Sequence, residues 1–255
     1  MIEVRDLCYK YARSPVNVLK GINLDLHESS MTAIMGANGS GKSTLARCLN
    51  GLLTPASGRV RVDGLDTGDR ARINDIRRRV GIIFQNPNEQ ITSVTVEREL
   101  AFGLENIGMD VAEMHRRVEI HLDSFGLAKY RQLSPSRLSG GEKQRLAIAS
   151  VLMLEPRYLI LDEATSLLSV AFRRRVLEMV MQSGARRNMG VILITQFPAE
   201  ALLAGRLVVL HDGCIMHDGP PGEVFGHEDE LSSYGVPLPI MSLLERRYAS
   251  ASRLH

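Results

Sequence analysis

The 255-residue sequence predicts an α/β fold in which antiparallel strands come first and a helical lobe interrupts a parallel sheet. Two continuous apolar runs, Tyr158-Leu159-Ile160-Leu161 and Val191-Ile192-Leu193-Ile194, suit parallel strands covered on both faces. A third run, Met31-Thr32-Ala33-Ile34-Met35, feeds a glycine-rich loop that continues as a helix over Thr44 to Leu49, with Gly51 placed to stop it. Between these runs, from about 86 to 155, the pattern turns helical and rich in charge.

The elements follow in order. Ile2-Glu3-Val4, Ile22 to Leu26 and Arg59 to Val62 alternate apolar with polar, as half-covered antiparallel strands do, and the last runs into an Asp63-Gly64 turn. Val80 to Phe84 reads as a buried strand ending at Gln85. Val94 to Leu104 and Val111 to Phe125 are candidate helices, and a third spans Lys143 to Leu154, stopped by Pro156. Leu207 to Leu210, Asp212-Gly213 and Cys214 to Met216 read as a hairpin. The expected division is a core domain over 1–225, with the helical subdomain at about 86–155 inserted in it, and a short helical extension over 226–255.

With 44% hydrophobic residues the chain can bury a full core. Its 31 basic and 29 acidic residues nearly cancel, so no nucleic-acid partner is expected. Arg77-Arg78-Arg79 and Arg173-Arg174-Arg175 read as solvated helix faces. Cys8, Cys48 and Cys214 lie far apart without zinc or disulfide spacing, which fits a reducing compartment. The charged N-terminus is no signal peptide, and no apolar run approaches a membrane span. Any membrane role is expected to come through a partner.

The chemistry starts at the glycine-rich loop. Gly36, Ala37, Asn38, Gly39, Ser40, Gly41, Lys42, Ser43 and Thr44 spell GANGSGKST, the G-x-x-x-x-G-K-[ST] pattern. Its glycines let backbone N–H groups converge on a phosphate chain. Lys42 adds a point charge for the outer phosphates, and the Ser43 hydroxyl can take a place on Mg²⁺. A nucleoside triphosphate with Mg²⁺ is therefore the expected ligand. A second signal is the strand that ends in Asp162-Glu163: Asp162 is placed to hold Mg²⁺ through water, and Glu163 to polarise the water attacking a γ-phosphate. Third, Leu138-Ser139-Gly140-Gly141-Glu142 contains an S-x-x-E capping box. A cap does not require consecutive glycines, and these leave a helix N-terminus that an anion can approach closely.

LSGGE, GANGSGKST and LILDE together resemble the ordered motifs of ABC-type ATPases over nearly the whole chain. The resemblance implies a P-loop NTPase core with an N-terminal antiparallel β subdomain and an inserted α-helical subdomain. It also implies a dimer, in which Ser139, Gly140, Gly141 and Glu142 of one subunit close over ATP held by the P-loop of another. Tyr11 resembles the aromatic that stacks on adenine, and Gln85 the glutamine whose amide reaches Mg²⁺. FQNPNEQITSVTVERELAFGLEN, from Phe84 to Asn106, and GVPLP ahead of Leu243-Leu244 are similar to the ATPases of energy-coupling-factor importers of vitamins, cobalt or nickel. That subfamily implies a transmembrane coupling subunit, a substrate-binding membrane component and a peripheral place on the cytoplasmic face of the cell membrane. Glu89, Glu97 and Glu99 are candidates to receive arginines from a coupling helix, although any one of them alone reads more readily as a solvated helix charge.

Two positions depart from the family. Ser169 stands where an aspartate is expected, and Gln196 where a histidine is expected. Glutamine still donates a neutral hydrogen bond but cannot become cationic. The expectation is a heterodimer with a second, histidine-bearing cassette, in which Glu163 and Gln196 turn over this chain's own ATP slowly; the rival is a normally running homodimer. Other function classes are a soluble non-transport ABC ATPase and a non-hydrolysing regulatory nucleotide binder. The first commonly carries long coiled-coil insertions or two cassettes, which this sequence lacks, and the second is opposed by intact Lys42, Asp162 and Glu163.

Overall fold

The computed structural model describes residues 1–12 and 15–240. Leu243 and Leu244, with the rest of the expected extension beyond 240, lie outside the described residues. The chain runs through β1 (Ile2–Tyr9), β2 (Leu19–Leu26), β3 (Met31–Met35), α1 (Lys42–Leu49), β4 (Ser57–Val62), β5 (Leu65–Asp66), α2 (Ile73–Arg79) and β6 (Val80–Ile83). The helices α3 (Val96–Asn106), α4 (Val111–Ser124) and α5 (Gly140–Leu152) follow. The remainder is β7 (Tyr158–Asp162), α6 (Val170–Arg187), β8 (Gly190–Ile194), α7 (Pro198–Ala201), β9 (Arg206–His211), β10 (Cys214–Gly219), α8 (Pro221–Phe225) and α9 (Glu228–Ser233).

The alternating strands pair as antiparallel sheet in the order β2-β1-β4-β5, with Val4 opposite Leu24 on one side and Val60 on the other. The continuous apolar runs form a six-stranded sheet in the order β10-β9-β3-β8-β7-β6, parallel except for the β9–β10 hairpin. Strand periodicity explains why these runs must be apolar throughout. Ile160, Ile192 and Ile194 pack with α1 and the antiparallel sheet, while Leu159, Leu161 and Leu193 pack towards the helical lobe. Each such side chain, fully buried, contributes about 1.5–3 kcal/mol.

Helix α5 begins at Gly140, earlier than the expected Lys143, because the capping box makes Ser139 the residue that starts it. Its Oγ accepts from the Glu142 N–H at 3.4 Å, and Glu142 Oε2 accepts from the Ser139 N–H at 2.8 Å.

The helical lobe corrects one expectation. Glu99 on α3 is only 5% exposed, and its Oε2 accepts from the backbone N–H groups of Thr92 (3.0 Å) and Ser93 (2.7 Å). Glu97 accepts from Arg131 Nε at 3.0 Å and from Gln132 Nε2 at 2.7 Å. The buried Glu99 carboxylate thus ties the lobe together rather than waiting for a partner's arginine, whereas Glu97 is partly exposed and Glu89 mainly exposed, 3.7 Å from Arg47. Glu99→Ala leaves the partly buried N–H groups of Thr92 and Ser93 without their acceptor. It is expected to cost about 1.5–3 kcal/mol, read as a lower urea midpoint.

Candidate nucleotide-binding site

Four neighbouring strands deliver the site. β3, β8, β7 and β6 lie side by side and parallel, so their C-terminal ends share one edge, where open α/β sheets present ligand crevices. β3 runs into the Gly36–Gly41 loop, β8 ends two residues before Gln196, β7 ends at Asp162 beside Glu163, and β6 ends two residues before Gln85. A cleft of about 480 Å³ at this edge is lined by Tyr11, Lys42, Ser43, Gln85, Glu163 and Gln196, among others.

Backbone geometry dictates the glycines. Gly36 has a φ of +154°, and a Cβ there would lie 2.2 Å from the Leu210 carbonyl oxygen. At Gly41, φ is +106° and a Cβ would come within 2.8 Å of Leu19 Cδ2. Any side chain would push the loop away from β9 and β2 and open the cradle. Helix α1 starts directly after Gly41 with no acidic residue in its first turn, so its N-terminal N–H groups face the cleft without an intrahelical carboxylate competing for them.

Lys42 is 5% exposed; its Nζ donates to the carbonyl oxygens of Gly36 (2.8 Å) and Ala37 (3.0 Å) and stands 3.8 Å from Glu163 Oε1. Burial pulls its pKa down, against the opposing pull of Glu163 and Asp162. Ser40 Oγ is buried without a hydrogen-bond partner, a polar atom inside the phosphate loop with bonding capacity to spare. Ser43 Oγ donates to Asp162 Oδ1 at 2.9 Å. Burial pushes the Asp162 pKa up; the Ser43 bond offsets this in part and neighbouring Glu163 adds to it. A hydroxyl and a carboxylate in contact, with the Gln85 amide in the same cleft, are hard oxygen donors that fit Mg²⁺.

Glu163 occupies the left-handed region at φ 51°, a conformation costing of order 1–3 kcal/mol for such a residue. Its N–H donates to the Ile194 carbonyl at 3.0 Å, which fixes it to β8. Gln196 Nε2 donates to both carboxylate oxygens, at 3.0 and 2.9 Å, and to Asn38 Oδ1 at 3.1 Å. The glutamine therefore bridges the phosphate loop and the carboxylate. Tyr11 sits at the rim, 38% exposed, with its ring edge-on to Tyr9 at 4.9 Å and its hydroxyl 3.1 Å from Thr44 Oγ1.

Ser139, Gly141 and Glu142 border a different cleft, shared with Arg145, Leu168, Ser169 and Phe172, and no residue lines both. Bonds from Tyr130 and Ser139 hold the Glu142 carboxyl down to about 2. Around Gly140 an added Cβ would meet nothing within 4 Å, so this helix start is open to a close-approaching group. Ser169 caps α6, its Oγ accepting from the Phe172 N–H at 3.4 Å. A serine serves there as well as an aspartate.

Sequence reasoning missed Glu200. It is buried, and its Oε2 accepts from Thr195 Oγ1 at 2.5 Å and Thr165 Oγ1 at 3.1 Å. It thereby joins the residue before Gln196 to the segment just after Glu163. Arg173 lies 3.4 Å from its other oxygen and 3.6 Å over the Phe197 ring. A lone glutamate in a short helix carries no sequence signal for this work.

Among the described residues no helix is long and apolar enough to cross a membrane. Residues 19–166 match the family described as ABC transporter. The chain is 43% identical over 245 residues to an energy-coupling factor transporter ATP-binding protein, EcfA, of Syntrophomonas wolfei, covering 96% of this chain and 90% of the relative. It is 44% identical over 244 residues to a cobalt import ATP-binding protein, CbiO, of Syntrophus aciditrophicus, covering 96% and 87%. Among solved structures it is similar to an ATP-binding cassette in a dimeric, post-hydrolysis state bound to ADP and phosphate, with a TM-score of 0.80 and 26% identity over 87% of this chain and 99% of that one.

Proposed function

Since this chain belongs to the ABC transporter family, we propose that it is the ATP-hydrolysing subunit of an energy-coupling-factor importer. It works at the cytoplasmic face of the cell membrane and powers uptake of a vitamin or a transition-metal ion. A transmembrane coupling subunit and a substrate-binding membrane component complete the assembly. Residues 1–225 form the ATPase domain, with the lobe at about 86–155, and 226–255 extend it. The observation that carries this reading is the convergence of Lys42, Asp162, Glu163 and Gln196 on one sheet edge, with the glycine-flanked Ser139 in a separate cleft.

In this reading the Gly36–Thr44 backbone and Lys42 bind the phosphate chain of ATP, and Tyr11 stacks on its adenine. When bound, Mg²⁺ at Ser43, Gln85 and Asp162 neutralises charge on the outer phosphates. Glu163 accepts a proton from the attacking water, and Gln196 orients the carboxylate while donating toward charge that develops in the transition state. Ser139 to Glu142 reach the ATP of a partner cassette, since in one chain that cleft shares no residue with the P-loop cleft. Drawing the cassettes together and releasing them moves the attached membrane subunits. The partner is a second cassette that carries the missing histidine, and this chain's own site turns over slowly.

Retention of labelled ATP at millimolar Mg²⁺ tests the premise. Lys42→Ala removes a buried charge that phosphate would otherwise meet, and is expected to weaken binding by about 10–100-fold. Equal retention by both proteins would overturn the reading.

A further inference from the structure

Away from the nucleotide cleft, the fold gathers His217, His227 and Glu230. His217 lies on β10, His227 immediately precedes α9, and Glu230 sits in the first turn of α9. A ring nitrogen from each histidine and a carboxylate oxygen of Glu230 lie within 4.8 Å of one another. The two imidazole rings stand 4.6 Å apart. His217 Nε2 is buried and has no hydrogen-bond partner, although Glu230 Oε2 is only 2.9 Å away, because the two are not aligned for a hydrogen bond. Close approach without alignment is what two ligands of one ion show. Asp218 does not compete, since both its oxygens are held by Arg206. The Tyr234 ring, 6.0 Å from that of His217 and 4.7 Å from that of His211, packs beside the cluster.

We propose that His217, His227 and Glu230 bind a divalent ion of the zinc, cobalt and nickel type. Two imidazoles with one carboxylate are borderline donors that suit these ions, whereas Mg²⁺ and Ca²⁺ prefer oxygen throughout. Three protein ligands leave a fourth position for water. Tetrahedral coordination sets ligand atoms about 3.4 Å apart. The His217–Glu230 pair already lies near that spacing, and the exposed His227 ring supplies the remaining movement. An ion there ties β10 to α9. The chain leaving α9 lies against the phosphate loop: a Cβ on Gly235 would stand 3.3 Å from Ala37 Cβ. Occupancy thus holds in place the segment that backs the P-loop.

The test uses full-length, tag-free, nucleotide-free protein in excess Mg²⁺, titrated by calorimetry with Zn²⁺ alone and with Co²⁺ alone, the latter also followed by its visible absorption. One ion per chain at micromolar affinity or tighter is expected. His227→Ala and Glu230→Ala are exposed substitutions expected to keep the metal-free unfolding midpoint, and each should weaken binding by about tenfold or more. Hydrogen exchange over 228–236 should slow with metal in the wild type only. Absence of stoichiometric binding, or equal affinity in the wild type and both variants, would overturn the site.

Discussion

Glu163→Gln is expected to retain ATP and to lose turnover by about 10²–10⁴-fold, the usual contribution of a positioned general base. The residue is held at both ends, its carboxylate by Gln196 Nε2 on both oxygens and its backbone N–H by the Ile194 carbonyl. No second carboxylate can stand in. Asp162 is buried and its Oδ1 accepts from the Ser43 hydroxyl, so in the proposed mechanism it serves Mg²⁺ and not the attacking water. Glutamine keeps the shape and removes one negative charge 3.8 Å from Lys42, which leaves that ammonium freer to meet phosphate. ATP affinity should therefore be unchanged or higher, and ATP-bound dimers should accumulate in sedimentation. Single-turnover hydrolysis measures the loss. Undiminished hydrolysis would place the base elsewhere.

Gln196→His is expected to raise the chain's own turnover by about 10²-fold, the lower end of what one well-placed donor contributes at a developing charge. The lower end applies because glutamine is already a donor at this position; what it lacks is the ability to carry a proton and become cationic. Its amide is also divided between Glu163 and Asn38, so it holds the carboxylate as much as it awaits the γ-phosphate. Steady-state ATPase assays on the isolated chain, before and after the substitution, supply the measurement. Fast hydrolysis by the unaltered chain, with no gain from Gln196→His, would sink the heterodimer argument and favour a self-sufficient homodimer.

The cap at Ser139 was legible, although the helix it opens starts at Gly140 and not Lys143, because a capping box is local: its two hydrogen bonds span three residues, and both partners are visible in one short word of sequence. The same is true of the glycine loop, whose backbone requirement at Gly41 is written in the residue itself. The role of Glu99 was not legible. An acidic residue near a helix start looks solvated until packing places the Thr92 and Ser93 N–H groups against it. Glu200 was hidden for a related reason: its partners Thr165 and Thr195 reach it only when β7 and β8 are neighbours.

The amino-acid order alone settled the α/β class, the antiparallel strands, the glycine loop and the capped helix, because each depends on a period or a contact within a few residues. Only the folded chain decided that β3, β8, β7 and β6 stand in that order, which brings Gln196 onto Glu163, and that α9 comes back beside β10, which brings Glu230 to His217. Such meetings depend on which strands and helices pack side by side, a choice made by burial summed over the whole core rather than by any one stretch of chain.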